Sequence, residues 1–70
     1  MTLQDITARL AAAGIGDARR EAQLLAEHFC ALSPLALRQT ADIPLPDPNG
    51  ALARAVEQRA ARFPLQYLLG

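Results

Sequence analysis

Alanine and leucine dominate this chain and limit what it can fold into. The 70 residues include 15 alanines and 12 leucines, and both residue types are strong helix formers. Only three residues are aromatic, and valine and isoleucine are scarce, so few residues favour strands. The composition predicts an all-α domain, and the pattern along the chain predicts a compact bundle of about five short helices.

Apolar residues recur at spacings of three and four, and other residues mark the ends of each helical segment. The pattern predicts helices over residues 3–13, 18–31 and 34–39, a fourth from 47–49 to 62, and a short helical turn from 64 to 69. Thr2 and Asp17 are placed to cap the first two helices, and Gly14 to end the first. Ser33 followed by Pro34 suits the start of the third. Residues 42–50 (DIPLPDPNG) are the one real loop, because their prolines fix an extended backbone.

Charge and cysteine content argue against several classes of function. Seven arginines balance seven acidic residues, and there is no lysine. A neutral chain without a basic block is a poor candidate for binding nucleic acid or an anionic membrane, and no segment has the unbroken apolar length of a membrane span. Cys30 is the single cysteine, so neither an internal disulfide nor a cysteine metal site can form. We expect a cytoplasmic protein with no direct nucleic-acid or membrane partner.

No group of residues in the sequence makes a recognisable catalytic, cofactor or metal site. Residues 14–17 (GIGD) look like part of a glycine-rich nucleotide loop, but such a loop follows a strand and here a helix precedes it. His28 has no nucleophile or metal-ligand partner nearby. Ser33 has no base nearby and is expected to be a cap rather than a nucleophile. The 70-residue chain alone is therefore expected to be non-catalytic.

Two stretches together resemble a known family. The first is residues 17–28 (DARREAQLLAEH), and the second is residues 59–70 (RAARFPLQYLLG). They resemble the N-terminal domain of the HemK/PrmC methyltransferases, which shows Arg-x-Asp/Glu-Ala followed by leucines and, further along, an arginine followed by Pro-x-x-Tyr-x-x-Gly. The resemblance covers essentially the whole chain. Phe63 departs from it, since the family commonly has glutamate there.

The resemblance implies that residues 1–70 are the helical, release-factor-recognition domain of a larger enzyme. That enzyme uses S-adenosylmethionine to methylate the side-chain amide nitrogen of the glutamine in the Gly-Gly-Gln motif of peptide-chain release factors. Its catalytic domain, with a glycine-rich cofactor loop and an Asn-Pro-Pro-Tyr motif, has no counterpart in these residues. The implied partners are release factors and that catalytic domain. Residues 68–70 are apolar, whereas natural chain ends are usually polar, so this end is expected to be a boundary with more protein following.

Two other functions suit a small helical domain. A stand-alone helical adaptor or dimerisation domain is the main alternative. A small nucleic-acid-binding domain is disfavoured by the neutral charge, because phosphate contacts need clustered arginine or lysine. Sequence beyond Gly70 would separate the first alternative from a methyltransferase domain, because a strand, a glycine-rich loop and Asn-Pro-Pro-Tyr would identify the enzyme.

Four side chains are candidates for contact with the release factor. Arg62, Gln66 and Tyr67 are polar groups near the C-terminal motif, which leads into the implied catalytic domain, and Arg19 is a weaker fourth. The alternative is that Tyr67 packs into the core and Arg62 is solvated.

Arg59 lies within the apolar stripe of the fourth helix. At about 100° per residue, Leu52, Val56 and Phe63 fall within about 40° of one another. Arg59 falls inside that arc, where a guanidinium is costly unless it is paired. Glu21 borders the core stripe of the second helix, which predicts a structural ion pair between Glu21 and Arg59. The alternative is that the head of Arg59 reaches solvent or bonds a helix-end carbonyl.

Overall fold

The chain folds into five α-helices that surround one core. A computed structural model describes residues 1–39 and 42–70, and no strand occurs in those two ranges. The helices are α1 (Leu3–Ala12), α2 (Ala18–Cys30), α3 (Pro34–Gln39), α4 (Ala51–Ala60) and α5 (Leu65–Leu69). The all-α class and the bundle predicted from the composition are confirmed.

A capping box fixes the start of α1. The Thr2 hydroxyl oxygen accepts from the Asp5 amide at 3.1 Å, and an Asp5 carboxylate oxygen accepts from the Thr2 amide at 2.9 Å. The Thr2 backbone and side-chain hydrogen bonds lower the pKa of the Asp5 carboxyl below its ordinary value. The predicted cap is confirmed.

A glycine in the left-handed region ends α1. Gly14 has a φ of +85°, and its amide donates to the Ala11 carbonyl at 2.9 Å. The Ile15 amide donates to the Leu10 carbonyl at 3.0 Å, which completes a Schellman motif. Asp17 occupies the N-cap position of α2, but its side chain accepts no capping hydrogen bond from the described residues of that helix.

The fourth helix is shorter than predicted at both ends, beginning at Ala51 and ending at Ala60. Asp47 caps it from a distance: its two carboxylate oxygens accept from the Leu52 and Ala53 amides, each at 3.0 Å. Gly50, with a φ of +70°, closes the intervening turn. Asp47 therefore caps α4 from outside the helix, rather than from its N-cap position, which Gly50 occupies.

The core lies between α1, α2 and α4, which pack against one another. Its buried residues are Leu3, Ile6, Leu10, Ile15, Ala18, Ala22, Leu25, Ala26, Leu37, Leu45, Leu52, Ala55 and Val56. Several members are alanines, and their small side chains let the helices approach closely. Burying each larger aliphatic side chain contributes about 1.5–3 kcal/mol.

The proline-containing loop is tied to the bundle near its middle, at Leu45 and Pro46. The Leu45 amide donates to the Met1 carbonyl at 2.8 Å, and the Leu45 side chain is buried in the core. The Cys30 thiol at the end of α2 donates to the Pro46 carbonyl at 3.3 Å. Burial raises the pKa of that thiol, so Cys30 is a packing residue with little thiolate character.

Candidate partner-binding surface

The backbone between α4 and α5 turns sharply because it enters the left-handed region. Arg62 has a φ of +77°. Its amide donates to the Arg59 carbonyl at 2.9 Å, and the Phe63 amide donates to the Gln58 carbonyl at 3.0 Å. This is a second Schellman motif, with arginine at the position that glycine usually occupies. Pro64 follows as the N-cap of α5.

The Arg62 side chain joins this turn to the end of α1. Its Nη2 donates to the Ala13 carbonyl oxygen at 2.9 Å, and Ala13 is the C-cap residue of α1. Carbonyls at a helix C-terminus lack intrahelical partners and favour a cationic donor. A Cβ at Gly14 would lie 2.9 Å from the same Nη2, so glycine at this position leaves room for the guanidinium.

Arg59 joins the turn to α2. Its Nε donates to Glu21 Oε1 at 2.5 Å and its Nη2 to Glu21 Oε2 at 3.3 Å, while its Nη1 donates to the Phe63 carbonyl at 3.1 Å. The two side chains are 19% and 14% exposed. The hydrogen bond to Glu21 raises the pKa of Arg59, although burial acts in the opposite direction. The ion pair expected between these helices is present, and the same guanidinium also bonds a carbonyl just beyond the end of α4.

Helix α5 presents an aromatic surface to solvent. Its three leucines, Leu65, Leu68 and Leu69, are partly buried against the core. Tyr67 is 73% exposed and Phe63 is 42% exposed. Their rings meet edge to face, with centroids 6.0 Å apart and an angle of 75° between the planes. Together with Pro64 they line a shallow apolar depression, which we call the aromatic patch (Phe63, Pro64 and Tyr67).

The structure groups three of the four predicted contact residues. Arg62, Gln66 and Tyr67 are all exposed and lie on or next to the turn between α4 and α5. The alternative that Tyr67 packs into the core is wrong, because the apolar side of α5 is supplied by leucines. Arg19 lines a different cleft, bounded by Leu3, Gln4, Thr7 and Asp42. None of the three C-terminal candidates lines that cleft.

Sequence reasoning missed two features of this region. The first is the aromatic patch. Phe63 and Tyr67 are four residues apart in sequence, which would suggest a shared helix face, but Phe63 lies in the turn before α5 and Tyr67 lies within α5. The second feature is an ion pair that links α1 to α4: Arg9 Nη2 donates to Glu57 Oε1 at 2.8 Å, with 45% and 61% of the side chains exposed. The hydrogen bond from Arg9 lowers the pKa of Glu57. No local pattern could predict a contact between residues 48 positions apart.

Residues 1–39 and 42–70 hold no group of three or more His, Cys, Asp or Glu side chains that could bind a metal ion. Among the helices of those same ranges, none has the length and apolar character needed to cross a membrane.

Comparison with known proteins links the chain to one family. The model of the PrmC N-terminal domain family matches residues 2–70. A release factor glutamine methyltransferase of Corynebacterium glutamicum is 41% identical over 70 residues, which cover 97% of this chain and 23% of the relative. The protein of the same name from Cereibacter sphaeroides is 45% identical over 65 residues, covering 89% of this chain and 23% of the relative.

A third relative extends the comparison to another bacterium. The release factor glutamine methyltransferase of Deinococcus radiodurans is 41% identical over an alignment of 76 positions, which covers 100% of this chain and 27% of the relative. The chain thus spans about a quarter of the length of the curated relatives it matches. No solved structure matches it.

Proposed function

The chain belongs to the PrmC N-terminal domain family, and we propose that it is the substrate-recognition domain of a protein that methylates the glutamine of the Gly-Gly-Gln motif of peptide-chain release factors. The relatives support this proposal, since those described above are release factor glutamine methyltransferases. The partners of the domain are then a release factor and the catalytic domain of the full-length protein.

S-adenosylmethionine is the proposed methyl donor of the full-length protein, and it binds outside these residues. The glycine-containing segment 14–17 does not fit a cofactor loop, because it follows a helix rather than a strand. The amides of Gly14 and Ile15 already donate to carbonyls of α1, so they are not free to cradle a ligand. We therefore assign no step of methyl transfer to this chain.

Tyr67 is the residue on which the proposed recognition surface rests. A tyrosine offers a large apolar ring with a polar end, and such residues often supply much of the binding energy at protein interfaces. Here the ring projects into solvent from a short helix whose leucines are already used against the core. Gln66 lies at the edge of the aromatic patch and can donate hydrogen bonds to a partner, whereas the neighbouring Arg62 guanidinium donates to the Ala13 carbonyl. Arg19 remains a separate and weaker candidate.

The test is steady-state kinetics of the full-length protein with a release factor as the methyl acceptor. Tyr67→Ala should raise KM for the release factor by about tenfold, the loss expected for one well-packed interface aromatic, and leave KM for S-adenosylmethionine unchanged. Leu35→Ala is a matched control, because Leu35 is also a large exposed apolar side chain but lies on α3. Equal effects of the two substitutions on KM for the release factor would count against the assignment.

A stand-alone helical adaptor or dimerisation domain is the second candidate, because the same aromatic patch could pack against a second copy. Sedimentation equilibrium of the chain distinguishes the two candidates. A dimer that is lost in Tyr67→Ala would favour self-association, whereas a monomer leaves the patch available for the release factor.

A further inference from the structure

The backbone of Arg62 is held in a conformation that costs free energy. Among the described non-glycine residues, only Arg62 and Ala31 have a positive φ. L-residues are disfavoured there because Cβ crowds the following carbonyl, whereas glycine has no such penalty. Glycine at position 62 would relieve this strain but would lack the guanidinium.

What the side chain supplies is a bond to a distant element. The Arg62 guanidinium donates to the Ala13 carbonyl, 49 residues away in sequence, at 2.9 Å. The acceptor lies at the C-terminus of α1, where the helix dipole places partial negative charge and favours a cation. Within residues 1–39 and 42–70, Arg62 forms no ion pair with a carboxylate. Its role within this domain is therefore the contact with α1.

Side-chain hydrogen bonds join the turn that Arg62 occupies to two other helices. Helix α5 has five residues, all of them described, and none is fully buried. Its leucines pack partly against the core, and the turn before it is tied to α1 by Arg62 and to α2 by Arg59 through Glu21. Phe63 and Tyr67 sit on either side of Pro64, so a change in this turn would alter the angle between their rings.

We infer that Arg62 is a positioning residue for release-factor recognition: it holds the aromatic patch in its binding orientation through the Ala13 carbonyl, rather than by direct ionic contact with the release factor. This inference rests on the proposed function, because it assumes that the patch is the recognition surface. It assigns Arg62 a different task from Tyr67 and Gln66.

The experiment compares Arg62→Gly, Arg62→Lys and Tyr67→Ala in the full-length protein. Arg62→Gly should leave the melting temperature almost unchanged, because relief of backbone strain offsets the lost bond. It should raise KM for the release factor about three- to tenfold, with KM for S-adenosylmethionine unchanged. Its KM for the release factor should keep the same dependence on salt as the parent protein. Arg62→Lys keeps a charged donor and should recover most of the loss.

Two results would overturn the positioning role and leave the proposed function standing. In the first, Tyr67→Ala raises KM for the release factor and Arg62→Gly does not. In the second, Arg62→Gly flattens the salt dependence of KM, which would indicate a direct ionic contact with the partner.

Hydrogen exchange gives a measurement that does not depend on the release factor. In Arg62→Gly, the amides of Tyr67 and Leu68, which donate to the Pro64 carbonyl, should exchange at least about tenfold faster, because the turn has lost its tie to α1. Unchanged exchange would overturn the positioning role whatever the kinetics show. If Tyr67→Ala has no effect on KM while exchange does accelerate, the proposed recognition surface fails and the structural tie between Arg62 and α1 stands.

Discussion

Two arginine–glutamate ion pairs each join α4 to another helix, and they differ mainly in their exposure to water. In both, one arginine makes two hydrogen bonds to one carboxylate on another helix. The Arg59–Glu21 pair is mostly covered, while the Arg9–Glu57 pair is largely exposed. Water and salt weaken an exposed pair, whereas a covered one leaves a poorly solvated charge when it is broken. The exposed Arg9–Glu57 pair is therefore a control for the effect of burial on the Arg59–Glu21 pair.

Arg59→Ala should lower the free energy of unfolding of the chain by about 2 kcal/mol, between the values typical of exposed and fully buried pairs. The loss arises because Glu21 keeps its partly covered charge without a partner, and because Phe63 loses a donor to its carbonyl. Arg9→Ala should cost clearly less. Urea denaturation followed by circular dichroism measures both, and equal losses would show that burial does not separate the pairs.

Helix boundaries follow local sequence only where the terminating residues act locally. Thr2 and Gly14 do so, and both ends of α1 were predictable from them. The ends of α4 were not. Its capping aspartate, Asp47, lies four residues before the first helical residue, and its last turn leads into a left-handed arginine rather than a glycine. Local sequence patterns do not predict a left-handed arginine at this position, because its side chain bonds a carbonyl at the end of another helix.

Asp47→Ala should destabilise the chain by about 1–2 kcal/mol, because two amides at the start of α4 lose their acceptors. Asp17→Ala is the matched control: Asp17 occupies the N-cap position of α2 without a capping bond from the described residues of that helix, so its loss should be smaller. The midpoint of urea denaturation reports both changes. A larger effect at Asp17 would contradict the capping role assigned to Asp47.

At the scale of the whole molecule, the fold was predictable and the surface was only partly so. Composition and apolar spacing were enough for five helices around one core. The helical wheel placed Arg59 in the apolar stripe of the fourth helix, and Glu21 was the expected partner because it borders the core stripe of the second. The exposure of Tyr67 was not predictable, because it depends on the direction of α5. The α5 leucines pack on the core, and the Arg62–Ala13 bond at the preceding turn joins residues 49 positions apart.

The central claim, that this domain recognises the release factor, is tested most directly by removing it. In the full-length protein, deletion of residues 1–70 should raise KM for the release factor far more than KM for S-adenosylmethionine. Recognition would then be lost while the proposed cofactor site outside these residues is retained. Each constant is measured by steady-state methyl transfer with the other substrate saturating. Equal increases in the two constants, or no increase in either, would contradict the claim.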